Sequence, residues 1–190
     1  MNIDHAKRAL LGAMVLGLAG CAANVVRTGD TPGAAPGATP GAARMAVPAG
    51  SKARMVMNVG GAPQAVASRD WETFRAEWRT AFKAEADAAG IAFVWQDGPP
   101  KPLAQAGTLL AVHVDDYRYL SPGARYGLGI MTGNAYVNAK LRFLSLADGR
   151  PFGEQTVNTS SSAWQGIFSA MTEKQIQAIA KDVMRDFRRD

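Results

Sequence analysis

Three kinds of side chain in this sequence could carry acid–base or nucleophilic chemistry. His113 stands two residues before Asp115, which is followed at once by Asp116, in "LLAVHVDDYRYL". Consecutive serines occupy positions 160–162, in "VNTSSSAW". A hydroxyl nucleophile needs a base within hydrogen-bond reach, and a histidine oriented by a third group is a common base. The residue types therefore leave open a hydrolase that uses His113 with Asp115 or with one of the serines at 160–162.

The local pattern argues against that chemistry. His113 falls in the middle of a predicted strand, among apolar residues, where a structural histidine is the commoner finding. Successive side chains of a strand point to opposite faces, so Asp115 and Asp116 converge only if a bulge intervenes. The serines lack the G-x-S-x-G setting of a nucleophile elbow, and hydroxyls between a strand and a helix usually act as caps. We therefore predict that the protein is not an enzyme and has no catalytic residues.

Metal and nucleotide sites are also poorly supported. The chain has one cysteine and two histidines, of which one is His5, so the usual zinc ligand sets cannot be assembled in the domain. Gly127, Gly129 and Gly133 are spaced one residue too far apart for a phosphate-binding fingerprint, and a strand pattern follows them instead of a helix. We expect no metal and no cofactor.

The stretch 117–131 combines tyrosines, arginines and apolar side chains within a glycine-rich segment. Apolar side chains in a loop can mark a contact surface. The alternatives are a bulged hairpin packed on the core and plain edge-strand decoration. We predict that the contact residues for a partner are Tyr117, Tyr119, Arg125, Tyr126, Leu128, Ile130 and Met131.

The single cysteine, Cys21, has the flanks of an export signal. A basic pair at 7–8 precedes an apolar stretch at 9–19, which is shorter than the about 20 residues that a transmembrane helix needs. The tetrapeptide "LAGC" at 18–21 then resembles the lipobox of bacterial lipoproteins. That resemblance implies cleavage before Cys21, a diacylglycerol on its thiol, and acylation of the new amino terminus by a chain such as palmitate.

The residues after the cysteine and the overall charge bear on location and partners. Ala22 stands where, in the lipoproteins that this sequence resembles, an aspartate favours retention in the inner membrane. The resemblance therefore implies the outer membrane, on its periplasmic side. The formal net charge is +5, but basic residues are scattered among acidic ones, so we predict no nucleic-acid partner.

Composition divides the chain into a signal peptide at 1–20, a tether at 21–52 and one domain at 53–190. The tether contains "TPGAAPGATPGAA" and has too few large apolar side chains to offset the entropy of ordering, so we expect it to be disordered. A flexible chain of about 30 residues spans roughly 30 Å. The domain is therefore expected to float off the membrane on this tether.

Periodicity within the domain predicts an α+β fold. The pattern along 136–146 puts alternate residues in the core and in water, which is typical of an antiparallel sheet. We predict a two-layer sandwich: a mostly antiparallel sheet of about four to five strands, with two helices on one face. The strands are predicted at 53–59, 91–95, 108–120, 136–146 and 151–162, and the helices at 68–90 and from Thr172 onward.

Three stretches of the domain, "VDDYRYLS", "GARYGLGIMTGNAYV" and "NTSSSAWQGIFSAMT", complete a resemblance. Together with the lipobox and the low-complexity spacer, they resemble small uncharacterised proteobacterial lipoproteins that are grouped under a domain of unknown function. The resemblance covers most of residues 53–190. It implies an envelope lipoprotein with an α+β domain, and it implies no activity.

These observations predict a non-enzymatic envelope lipoprotein, anchored through acylated Cys21 on the periplasmic side of the outer membrane. Its domain is expected to bind an envelope protein complex or peptidoglycan. Two alternatives stay open: an envelope-acting hydrolase that uses His113, and a domain that holds a small apolar ligand between its sheet and helices.

Overall fold

The computed structural model describes residues 24–28, 45–119, 135–160 and 171–188. Its strands are β1 Asn24–Thr28, β2 Arg54–Gly61, β3 Ala92–Trp95, β4 Thr108–Arg118, β5 Tyr136–Ser145 and β6 Pro151–Ser160. Its helices are α1 Pro63–Val66, α2 Trp71–Ala88 and α3 Met171–Phe187, and a short 3₁₀ helix covers Ala49–Ser51. No helix of the described ranges is both long enough and apolar enough to cross a bilayer.

The six strands form one sheet in the order β1-β6-β5-β4-β2-β3. The pairs β1–β6, β6–β5 and β5–β4 are antiparallel, while β2 lies parallel to both β4 and β3. The chain between β2 and β3 contains α1 and α2, and a helical crossover of this kind returns the chain parallel to the strand that it left. The predicted α+β fold with a mostly antiparallel sheet is confirmed, and the parallel pairs are an addition.

The core lies between one face of the sheet and the helices α2 and α3. Alternate residues of the strands enter it, for example Val137, Ala139, Leu141 and Phe143 of β5, all fully buried. The helices contribute apolar residues at spacings of three and four, which is the period of one helix face. Those of α2 are Trp71, Phe74, Trp78 and Phe82, and those of α3 are Ile176, Ile179, Ala180, Val183, Met184 and Phe187.

The face of the sheet opposite α2 and α3, here called the outer face, carries a small second cluster. Val56, Leu109 and Leu146 pack together at one end of the sheet, beneath the loop 96–107, where the backbone N–H of Leu103 donates to the carbonyl of Leu146. Farther along the sheet, side chains of the outer face are polar and exposed.

Two described segments flank the low-complexity part of the predicted tether and contact the domain. β1 lies three residues beyond Cys21 and pairs with β6, because a strand needs backbone partners more than large side chains. Residues 45–52 also belong to the domain: Val47 is buried in the main core, and the Ser51 carbonyl accepts a hydrogen bond from the buried hydroxyl of Thr108. The division into a signal peptide at 1–20, a tether at 21–52 and a domain at 53–190 stays a prediction, with residues 45–52 in contact with the domain.

Candidate functional site

A β-bulge in β4 places Asp115 and Asp116 on the same face of the sheet. The pairing of β4 with β5 shifts between Val114 and Asp116, so Asp115 is the extra residue. Asp116 lies opposite Asn138 on the outer face, and Asp115 reaches the side chains of that same face. A bulge is the condition under which we expected these two carboxylates to share a face, and the structure meets that condition.

His113, Asp115 and Lys140 form a charged group on the outer face. The Nε2 atom of His113 lies 3.8 Å from Oδ1 of Asp115, and Nζ of Lys140 lies 3.8 Å from its Oδ2. These distances exceed those of hydrogen bonds, and the three side chains are 55%, 41% and 53% exposed. Pairs of this kind contribute little to folding, about 0–1 kcal/mol each, and the polar atoms of these side chains are accessible to solvent.

A groove of about 360 Å³ runs beside this charged group. Small residues such as Gly60 and Ala111 line it, and Pro100 of the loop 96–107 bounds one side. Polar walls are supplied by Asn58, His113, Lys140, Arg142 and Glu154.

Asn58 holds the groove's loop in place. Its buried amide donates to the carbonyls of Gln96 at 3.0 Å and Gly98 at 2.5 Å. Across the groove, Nε of Arg142 lies 3.6 Å from Oε2 of Glu154, and both side chains are about half exposed. The groove thus presents fixed backbone on one side and loosely paired charges of both signs on the other.

The arrangement around His113 does not resemble a catalytic dyad. His113 and Asp115 are too far apart for a hydrogen bond that would orient the imidazole. Ser160 ends β6, which β5 separates from β4, and Ser161 and Ser162 lie outside the described residues. Within the described ranges, no group of three histidine, cysteine, aspartate or glutamate side chains is placed to hold a metal ion.

Tyr117, which we predicted as a partner contact, lies in the core. The bulge returns its side chain to the helix side, where its ring stacks on Phe74 with centroids 4.0 Å apart, and the residue is 9% exposed. Its hydroxyl donates to Oδ1 of Asp70 at 2.5 Å, beside the Ser68 hydroxyl, which donates to the same oxygen at 2.7 Å. Burial, and then the bond to Asp70, raise the pKa of Tyr117 to about 12. Tyr117 is thus a structural residue.

Tyr119 is half-buried at the end of β4 and reaches the helices. Burial and the nearby Glu77 raise the pKa of Tyr119, and burial together with Glu173 raises that of Glu77.

Six of the predicted site residues lie outside the described residues. They are Cys21 and the contact residues Arg125, Tyr126, Leu128, Ile130 and Met131. Those assignments stay predictions.

No pattern in the sequence indicates the cluster that joins α2 to the edge strand β3. The Arg75 guanidinium lies 5.3 Å from the ring centroid of Trp95 and pairs with Asp97 at 2.9 Å. The Trp95 indole N–H also donates to Asp97, and this bond, followed by Arg75, lowers the pKa of that carboxyl. A hollow of about 260 Å³ adjoins the cluster. Arg75 lies 22 residues before Asp97 in the sequence, so only the packing of α2 on β3 brings it to Trp95 and Asp97.

Comparisons with known proteins give a likeness of fold. No family model matches the chain, and no curated protein matches it. The PelC dodecamer from Paraburkholderia phytofirmans matches with a TM-score of 0.50 and 11% identity, over 89% of this chain and 99% of that one. A Xanthomonas campestris protein of the domain-of-unknown-function family DUF330 matches with a TM-score of 0.48 and 14% identity, over 76% and 86% of the two chains. The chain therefore shares its α+β fold with PelC, and the structures that it resembles include a member of a domain-of-unknown-function family.

Proposed function

We propose that this chain is a non-catalytic lipoprotein of the bacterial envelope, acylated at Cys21 and facing the periplasm from the outer membrane. Its α+β domain binds a protein partner through the outer face of the sheet. The observation that carries the proposal is the groove beside His113, whose walls hold exposed and loosely paired charges of both signs.

The lipobox-like tetrapeptide at 18–21 and the apolar stretch before it support the anchor. The shared fold supports a binding role, because the PelC structure from Paraburkholderia phytofirmans is a dodecamer. A domain of this shape is therefore compatible with extensive contacts between protein chains, to copies of itself or to other subunits of an envelope complex.

The chemistry of the outer face favours a protein over peptidoglycan. Charges of both signs match a protein surface, where complementary charges select the partner and fix its register. Recognition of a saccharide commonly uses an exposed aromatic plane. The aromatic side chain described on this face is that of Tyr136, and its hydroxyl is already engaged with Oδ2 of Asp116 at 2.9 Å.

Photo-crosslinking in cells tests the proposal. A photoreactive amino acid at Lys140 is expected to give a discrete crosslinked protein, whereas the same residue at Lys181, exposed on α3, gives none. The photoreactive amino acid is also placed at His113. The double variant Lys140→Glu/Arg142→Glu is expected to abolish the crosslinked product from that position without loss of folding. Equal products from positions 140 and 181, or crosslinks to peptidoglycan alone, would contradict the proposed face or partner.

The anchor is tested separately by the intact mass and the location of the protein. The mature chain is expected to begin at Cys21 with the added mass of the lipid, and Cys21→Ser is expected to leave the signal uncleaved. Normal processing of Cys21→Ser would contradict the proposed acylation.

A hydrolase is the second candidate, because the bulge brings His113 and Asp115 to one face of the sheet, although their 3.8 Å separation exceeds a hydrogen bond. The two functions differ in their response to His113→Gln. Hydrolysis of envelope material would be lost with the imidazole, whereas a binding face with a polar glutamine in the same place would retain its crosslinks.

A further inference from the structure

We infer that the domain is seated directly on the bilayer by one end of its sheet, and that the Pro/Gly/Ala-rich segment 31–43 is not a leash to the membrane. The inference rests on the proposed acylation of Cys21. It adds to that proposal the surface that faces the lipid.

The register of the sheet places the amino-terminal strand at a defined end. Asn24, the first residue of β1, lies opposite Ser160, the last of β6. Ser160 lies opposite Tyr136, the first of β5, and Tyr136 lies opposite Arg118, the last of β4. Four strands therefore have a terminus at this end, here called the anchor end, which is defined by Asn24, Arg118, Tyr136 and Ser160.

The chain between the lipidated residue and the anchor end is short. Cys21 precedes Asn24 by three residues, and a fully extended chain spans at most roughly 3.6 Å per residue, or about 11 Å here. A flexible tether of about 30 residues would instead allow roughly 30 Å. With β1 paired to β6, the anchor end is confined to the layer next to the lipid headgroups.

The low-complexity segment lies beyond β1 and starts and finishes on the domain. β1 ends at Thr28, which lies opposite Thr156 of β6. The chain rejoins the described structure at Met45, whose side chain lies over Gly153, also in β6. Residues 31–43 therefore connect two points of the same domain, and their length does not set the distance to the membrane.

The opposite end of the sheet points away from the bilayer. β4 runs from Thr108 to Arg118, and at about 3.3 Å per residue its ends are roughly 33 Å apart. Arg150 lies at the far end, where its carbonyl accepts from the backbone N–H of Ser145, the partner of Thr108. Arg118 and Arg150 are both exposed, so they form a matched pair of positions for a probe.

Fluorescence quenching in lipid vesicles tests this orientation with the full-length acylated protein. The native thiol is blocked by the lipid, so a fluorophore can be attached to Arg118→Cys or to Arg150→Cys. Quenchers on the lipid headgroups are expected to quench the label at 118 strongly and the label at 150 little. Equal quenching at the two positions in acylated protein would overturn the inference while leaving the anchor intact.

Two insertions of equal length distinguish a short connection between Cys21 and β1 from a long tether through residues 31–43. A ten-residue Gly/Ser spacer between Ala23 and Asn24 is expected to abolish the difference in quenching. The same spacer between Gly37 and Ala38 is expected to leave it unchanged, and equal effects of both would overturn the inference. Protein that lacks the lipid mass at Cys21 would overturn the proposed anchor and this inference together.

Discussion

At the scale of single residues, Tyr117 shows how one side chain links the sheet to a helix start. Its hydroxyl donates to Asp70, which precedes α2, and its ring stacks on Phe74 within α2. Tyr117→Phe keeps the ring and is expected to lower the free energy of unfolding by about 1 kcal/mol. Tyr117→Ala also leaves a cavity and is expected to cost about 3–5 kcal/mol. Urea unfolding measures both, and equal costs would show that the hydroxyl alone matters.

The raised pKa of Tyr117 predicts how stability changes at high pH. The folded protein keeps the phenolic proton up to a pKa of about 12, whereas an unfolded tyrosine releases it near about 10. Between those values the unfolded state binds fewer protons, so the free energy of unfolding falls as the pH rises through this window. Tyr117→Phe is expected to flatten that decline in urea midpoints measured from pH 9 to 12. An unchanged slope would exclude Tyr117 as its source.

Two glycines offer a matched test of backbone constraint. Gly107 has a φ of +146°, and a Cβ there would lie 2.9 Å from the Arg54 carbonyl, whereas a Cβ on Gly60 would meet nothing within 4 Å. Gly107→Ala is therefore expected to lower the free energy of unfolding by about 1–3 kcal/mol. Gly60→Ala is expected to be neutral within about 0.5 kcal/mol. Similar thermal midpoints for the two variants would contradict this account.

At the scale of elements, the Asn58 amide holds the first part of the loop 96–107, and the bond from Leu103 to Leu146 holds a later part. Asn58→Ala removes both hydrogen bonds to Gln96 and Gly98, and each buried bond contributes about 1 kcal/mol. The loop is expected to lose protection in hydrogen exchange and to become sensitive to proteases, while β5 and β6 keep their protection. Gln64→Ala is the control, because its exposed amide donates to the Asp115 carbonyl at 3.3 Å. A loop equally protected in both variants would contradict this role of Asn58.

The regular helices and strands of the domain were largely predictable from the sequence, whereas the bulge in β4 and the strand β1 were not. The alternation of Val137, Ala139 and Leu141 against polar neighbours predicted the buried face of β5, since periodicity depends on local sequence. The bulge at Asp115 could not be predicted, because it exists only in the pairing with Asn138 and its neighbours. The bulge determined the outcome at the candidate site, because it turned Tyr117 inward and placed Asp116 on the same face as Asp115. β1 was missed for the same reason, since its partner lies at the other end of the domain sequence.

At the scale of the whole molecule, residues 31–43 stand in the sequence between β1 and Met45, both of which contact β6. The entropy of closing such a loop grows slowly with length, by about 0.6 kcal/mol for each doubling. Duplicating 31–43 is therefore expected to lower the free energy of unfolding by about 0.6 kcal/mol, because it separates β1 from Met45. Duplicating a free amino-terminal tether would leave stability unchanged. Denaturant midpoints, measured on acyl-free protein that begins at residue 22, distinguish the two results.

The pairing of β1 with β6 also has a consequence for the order of folding. Among the described strands, β1 comes first along the chain and its partner comes last. Pairing between such distant segments is slow, because the intervening chain must be organised first. The edge of β6 therefore stays open until late, and an open strand edge invites pairing with another chain. If the proposed lipid anchor holds copies side by side, they would meet in that interval, so the final strand addition is the step at which a high local concentration most favours misfolding.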